Sequence, residues 1–179
     1  MSALTIFDDL RPAAPVLKTG DADVMARELA AIGVRFERWE SPVALSPDAA
    51  PEVILDAYKP YLDELMGDLG AGSADVIKLT PDNPNGPALR TKFLAEHIHT
   101  EDEIRFFVAC GGHFVMHVNG RVYDAYCAAG DLISVPANTK HWFDAGEAPD
   151  FIALRVFTDT TGWTPHYTGD EISERFLVA

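Results

Sequence analysis

Basic side chains are scarce in this chain: 14 lysines and arginines stand against 28 aspartates and glutamates, for a net charge of −14. Nucleic acid and anionic membrane are bound through a positive face, so neither is expected as a partner. Cysteine is scarcer still, with only Cys110 and Cys127 and no C-x-x-C pair. Both lie in apolar, strand-like runs, which predicts buried free thiols rather than a disulfide. No apolar run approaches the ~20 residues of a membrane span. The opening residues, MSALTIFDDL, lack the basic region and apolar core of a signal peptide. A reducing cytoplasm fits all of these absences. Internal repeats and low-complexity tracts are missing as well.

What is present is apolar and well punctuated. Apolar residues make up 47% of the 179, enough for a real core, and 12 prolines and 13 glycines are scattered as turn signals. The length predicts a single domain over residues 1–179. It divides into a helix-rich part at 21–95, a strand-rich core at 96–157 and a tail at 158–179.

In the first part, Val24, Leu29 and Ile32 share a helical face that starts at Asp21 and stops at Gly33. Residues 34–39 (VRFERW) alternate as a strand, and 40–50 form a loop around Pro42 and Pro47. Val53, Ile54, Ala57, Tyr61, Leu65 and Leu69 define a helix over 51–69, which Pro60 is expected to kink. A short strand at 75–80, a loop at 81–87 and a helix from Ala88 to Glu96 follow. From there on the pattern is strands. Glu103–Cys110 and His113–Val118 are separated by Gly111-Gly112, and Asn119-Gly120 makes a hairpin into Arg121–Cys127. Runs at 131–136 and 150–157 complete at least five strands, which predicts a mainly β protein with peripheral helices, an antiparallel barrel or sandwich. The stretch from Thr158 to Tyr167 reads as irregular.

The chemistry concentrates in His97-x-His99-x-x-x-Glu103 and, downstream, His141. Imidazole and carboxylate suit divalent first-row transition metals. The two-residue spacing puts His97 and His99 on one face of an extended strand. Glu103 has the same parity after a short irregular stretch, and His141 follows a second apolar strand. Three nitrogens and one carboxylate leave two positions of an octahedral ion open, as chemistry requires. Arg105, two residues beyond Glu103, faces the same interior, where a permanent guanidinium charge would favour an anionic substrate. Phe107 and Phe143 continue the inward parity and are candidates for the wall. His113 and His117, at i,i+4 but among strand signals, read as core residues or as support behind the metal site.

The motif resembles that of the cupins, with Gly130, Pro136 and His141 matching their second signature. Departures at Thr91, Asn138 and Ala145, and a glycine one residue late at Gly111, point away from a generic cupin. The closer resemblance is to the acireductone dioxygenase family of methionine salvage. It is carried by 93–108 (FLAEHIHTEDEIRFFV), 131–144 (DLISVPANTKHWFD), 34–39, 155–163 (RVFTDTTGW) and 167–170 (YTGD), and spans roughly residues 21–172.

That resemblance implies a cupin-type double-stranded β-helix and a monomer holding one Fe²⁺ or Ni²⁺ through His97, His99, Glu103 and His141. The implied reaction is cleavage of 1,2-dihydroxy-5-(methylthio)pent-1-en-3-one with O₂. The iron form is expected to give 4-methylthio-2-oxobutanoate and formate; the nickel form gives 3-methylthiopropanoate, formate and carbon monoxide. By the same resemblance Arg105 helps to generate the substrate dianion, and Phe93 and Trp163 contact its methylthio-alkyl tail. Asp102 becomes a proton acceptor or conformational relay, and Glu96 assists metal entry. Two other classes share the ligand set: another cupin enzyme, such as a thiol dioxygenase or sugar isomerase, and a non-catalytic metal-binding sensor. Arg105 and the HWFD context favour the first reading.

Overall fold

The computed structural model describes residues 1–39, 45, 49–159 and 164–177. Trp163 and most of the expected loop at 40–50 lie outside them. In chain order the elements are β1 (Ala3–Asp8), β2 (Pro15–Thr19), α1 (Ala22–Ala30), β3 (Arg35–Arg38), α2 (Pro51–Leu69), β4 (Ser73–Leu79) and α3 (Gly86–Leu94). Then come β5 (His97–Ile98), β6 (Glu103–Val118), β7 (Arg121–Ala128), β8 (Asp131–Val135), β9 (His141–Asp144), β10 (Phe151–Phe157) and β11 (His166–Tyr167), with a closing 3₁₀ turn at Ile172–Phe176.

β6 organises the sheet. Its first half pairs with β8 and β10, its second half with β7 and β9, all antiparallel. Belonging to both walls, it folds the eleven described strands around one core that includes Phe107, Phe114, Met116, Phe143 and Phe151. Two strands separated by Gly111-Gly112 were the expectation; the structure has one strand of 16 residues. The glycines are there for close approach. A Cβ on Gly111 would run into the Cys127 carbonyl oxygen, and one on Gly112 would run into the Phe143 ring. A glycine pair in a strand pattern marks either a turn or such contact, and sequence cannot separate the two.

Cys110, expected to be buried, is exposed and has φ of +52°, so the strand irregularity turns its side chain out. Cys127 is buried, and burial pushes its thiol well above the usual range. The N-terminal strands were not foreseen. Leu4 and Ile6 alternate inward on β1, which pairs with β7, and a hydrogen bond from Ser2 to the buried Asp131 pins this end.

α1 starts at Asp21, whose carboxylate accepts from the Asp23 and Val24 amides, and it buries Met25 and Leu29. α2 runs unbroken through Pro60. The carbonyl that loses its donor there belongs to Asp56, which is exposed, so water can satisfy it. α2 buries Ile54, Tyr58, Leu62 and Leu65 against Ile104, Phe106 and Leu154, whereas Val53, expected on this face, is exposed. Each such side chain contributes about 1.5–3 kcal/mol on burial. α3 begins two residues earlier than expected and ends at Leu94, just before the residues of the site. The tail is less irregular than expected, since β11 pairs with β5 and Ile172 and Phe176 pack with Trp142.

Candidate metal centre

Strand pairing brings His97 directly opposite His141, at the edge where β5 meets β9. His99 lies just beyond β5, and Glu103 opens β6. The ligand-type atoms of these four buried residues all fall within 4.8 Å of one another. Each imidazole is oriented from behind. His97 Nδ1 lies 2.7 Å from the Ala95 carbonyl, His141 Nδ1 2.7 Å from that of Thr139, and His99 Nδ1 3.3 Å from that of Thr164. A carbonyl only accepts, so these contacts put the proton on Nδ1 and make each Nε2 the acceptor nitrogen of its ring.

The electrostatics agree. Burial and the neighbouring His141 push His97 down to about 4, so it is neutral near pH 7, and burial lowers His99 too. Burial pushes Glu103 up, but the charge of the adjoining Arg105 opposes it, and the carboxyl is held far below the usual range. His141 Nε2 and Glu103 Oε2 stand 2.7 Å apart without the alignment of a hydrogen bond, neither makes a hydrogen bond elsewhere, and His99 Nε2 lies 3.5 Å from the same carboxylate oxygen. Two buried acceptors facing each other at this distance call for a cation between them. The donor set therefore fits a divalent metal ion on the structure's own geometry.

Arg105 is buried with its Nη2 2.7 Å from Glu103 Oε1, while its Nε and Nη1 have no hydrogen-bond partner. Its guanidinium carbon lies 5.2 Å from the centre of the Phe114 ring and 5.0 Å from that of Phe143. A cavity of about 120 Å³ opens over the cluster, with Phe93, Phe143, Lys92 and Arg155 also on its wall. Phe107 does not reach it; it packs behind Phe143 at 6.2 Å between ring centres. The inward parity was right, but Phe143 fills the intervening layer.

Asp102 is off the wall too. Its carboxylate accepts the Ala137 amide at 2.8 Å and braces the loop that delivers His141. Glu96 is buried on the far side of β5, bonded to His117 at 2.9 Å and to Thr168 at 2.7 Å. His117 also reaches Asp9, so it supports the strand carrying His97; His113 pairs with Asp124, away from the cavity. Sequence reasoning missed Arg90, which holds the buried Asp144 at 2.9 and 3.0 Å and ties α3 to β9. It also missed Arg155, although a single charge within the apolar run FIALRVF was a visible signal.

A family model described as ARD/ARD′ matches residues 4–165. The chain belongs to the ARD/ARD′ family. A relative from Acidiphilium cryptum named acireductone dioxygenase is 71% identical over 179 residues, covering 100% of this chain and 99% of that protein. A namesake from Granulibacter bethesdensis is 63% identical, with both chains covered in full (100%). Among solved structures, an acireductone dioxygenase from Bacillus anthracis with a cadmium ion in its active centre superposes with a TM-score of 0.82 at 29% identity. The match covers 93% of this chain and 98% of that one. The ARD/ARD′ chain is thus a dioxygenase, an oxidoreductase, on the expected cupin fold, mainly antiparallel β with outlying helices. No helix among its described residues is long and apolar enough to cross a membrane.

Proposed function

We propose that this ARD/ARD′ chain is an acireductone dioxygenase of methionine salvage, acting in the cytoplasm as a monomeric single domain with one Fe²⁺ or Ni²⁺ per chain. The observation that carries the reading is the convergence of three Nδ1-anchored histidines and Glu103 beside a buried arginine with two unused donors. His97, His99, Glu103 and His141 would hold the metal, which when bound supplies Lewis acidity and a template for a chelating enediolate. Arg105 supplies the fixed positive charge that favours the dianion and aims Nε and Nη1 at its oxygens. Phe93 and Phe143 line the cavity beside these polar groups, exclude water and take the methylthio-alkyl tail. Trp163 is the remaining proposed tail contact. Asp102 acts as a brace for the His141 loop and so relays its position, its Oδ1 being engaged by Ala137. The buried bonding of Glu96 favours support of His97 over a direct part in metal entry.

The test follows decay of enzymatically generated acireductone in air, with metal-free protein reconstituted separately with Fe²⁺ and Ni²⁺. Accelerated decay is expected, yielding formate and 4-methylthio-2-oxobutanoate with iron, and 3-methylthiopropanoate, formate and carbon monoxide with nickel. Decay no faster than a protein-free control, at stoichiometric metal, would overturn the assignment.

A further inference from the structure

Arg155 is the only charged residue of β10. In the ladder it stands directly opposite Arg105 on one side and Asp75 on the other, so three ionic side chains form one row across the sheet. Directly paired strand residues project to the same face, and like charges there repel. Such a pairing survives where something offsets it. Asp75 does so in part, accepting from Arg155 Nε at 2.8 Å and Nη2 at 2.6 Å, while the Phe157 ring lies 5.3 Å beneath the guanidinium carbon. The clamp fixes the arginine along the cavity wall. Among the described residues, that wall carries Lys92, Arg105 and Arg155 against the single carboxylate of Glu103, in a chain with twice as many acids as bases. Cations gathered at one cavity in so acidic a protein match an anion that enters it.

Resting on the function proposed above, we propose that Arg155, aimed by Asp75, is a second anion contact of the cavity that works beside Arg105 to select the ionised substrate. A plain strut would need only the Asp75 bond. An anion contact needs the charge at this place, and lysine can supply charge without the two-point fork.

The test uses nickel-loaded protein and squarate, a stable planar dianion with adjacent oxygens, titrated calorimetrically into wild type, Arg155→Gln and Arg155→Lys. The same proteins are assayed with acireductone. Arg155→Gln is expected to weaken squarate binding and raise KM, each roughly tenfold for one charge-assisted contact, with a smaller fall in kcat. Arg155→Lys should recover most of both. Squarate affinity in Arg155→Gln equal to wild type would overturn the proposal. So would a lysine variant as weak as the glutamine one, which would mark Arg155 as a strut for β4. If wild type is inert towards acireductone yet binds squarate through Arg155, the proposed function fails and the anion contact stands.

Discussion

At the scale of single residues, the site is a matter of which polar atoms are left over. Arg105 keeps two donors unused, and Glu103 and His141 present acceptors to each other. Replacing Arg105 with alanine is expected to lower kcat/KM by roughly 10²–10³-fold, the range for loss of a preorganised donor. Metal content by elemental analysis should stay stoichiometric; its loss would make Arg105 a structural partner of Glu103. Gly112→Ala makes a second residue-scale prediction. Its Cβ must displace the Phe143 ring, so it should cost about 1–3 kcal/mol and perturb the cavity, read by thermal unfolding and KM. The clustering residues were legible in sequence because spacing alone puts His97 and His99 on one face. Phe107 was misplaced because parity states direction but not depth: the ring that reaches the cavity is Phe143, one layer nearer.

At the scale of elements, the position of β9, and with it His141, is held by contacts from three directions. β5 and β6 pair with it, and α3 is tied to it by the Arg90–Asp144 bridge. Arg90→Ala removes the two-point guanidinium bridge to the buried Asp144 carboxylate and is expected to cost about 3 kcal/mol, measured by urea unfolding. Charge-reversed or neutral pairs at both positions should recover part of that. β3 has a pH-dependent anchor. The Arg35 guanidinium bonds Glu37 and, with the Trp39 indole N–H, holds its carboxyl below the usual value of 4.5. A depressed carboxylate stabilises above its unfolded pKa and loses that contribution as pH falls through the folded one. Unfolding temperature should therefore fall less steeply below about pH 4.5 in Glu37→Gln than in wild type, by a small amount because the pair is exposed. An equal acid slope would remove Glu37 from the account. Helices and strands with strong periodicity were legible at this scale. β1 and β11 were not: β11 is two residues long and exists only by pairing with β5.

At the scale of the whole molecule, an ion held by the cluster would be coupled to the fold, because the four ligand-type residues come from β5, the segment after it, β6 and β9. An ion binding only the assembled site at a thousandfold its Kd adds about 4 kcal/mol to stability. Chelation should then lower the unfolding temperature by roughly 10 °C for a chain of this size, measured by calorimetry with and without chelator. No shift would mean that the ion holds nothing together. The sequence by itself determined the composition of this site, since ligand chemistry, strand parity and glycine and proline punctuation are local properties written at spacings of two to six residues. It also determined the antiparallel β class, through alternation and hairpin turns. Only the tertiary structure decided what stands behind and beside those residues. The Arg155–Arg105 pairing, the Glu96–His117–Asp9 clasp and the Arg90–Asp144 tether join residues 50 or more positions apart or on strands whose register is set elsewhere. Register depends on which faces bury together, an energy summed over the whole core, and no local pattern encodes it.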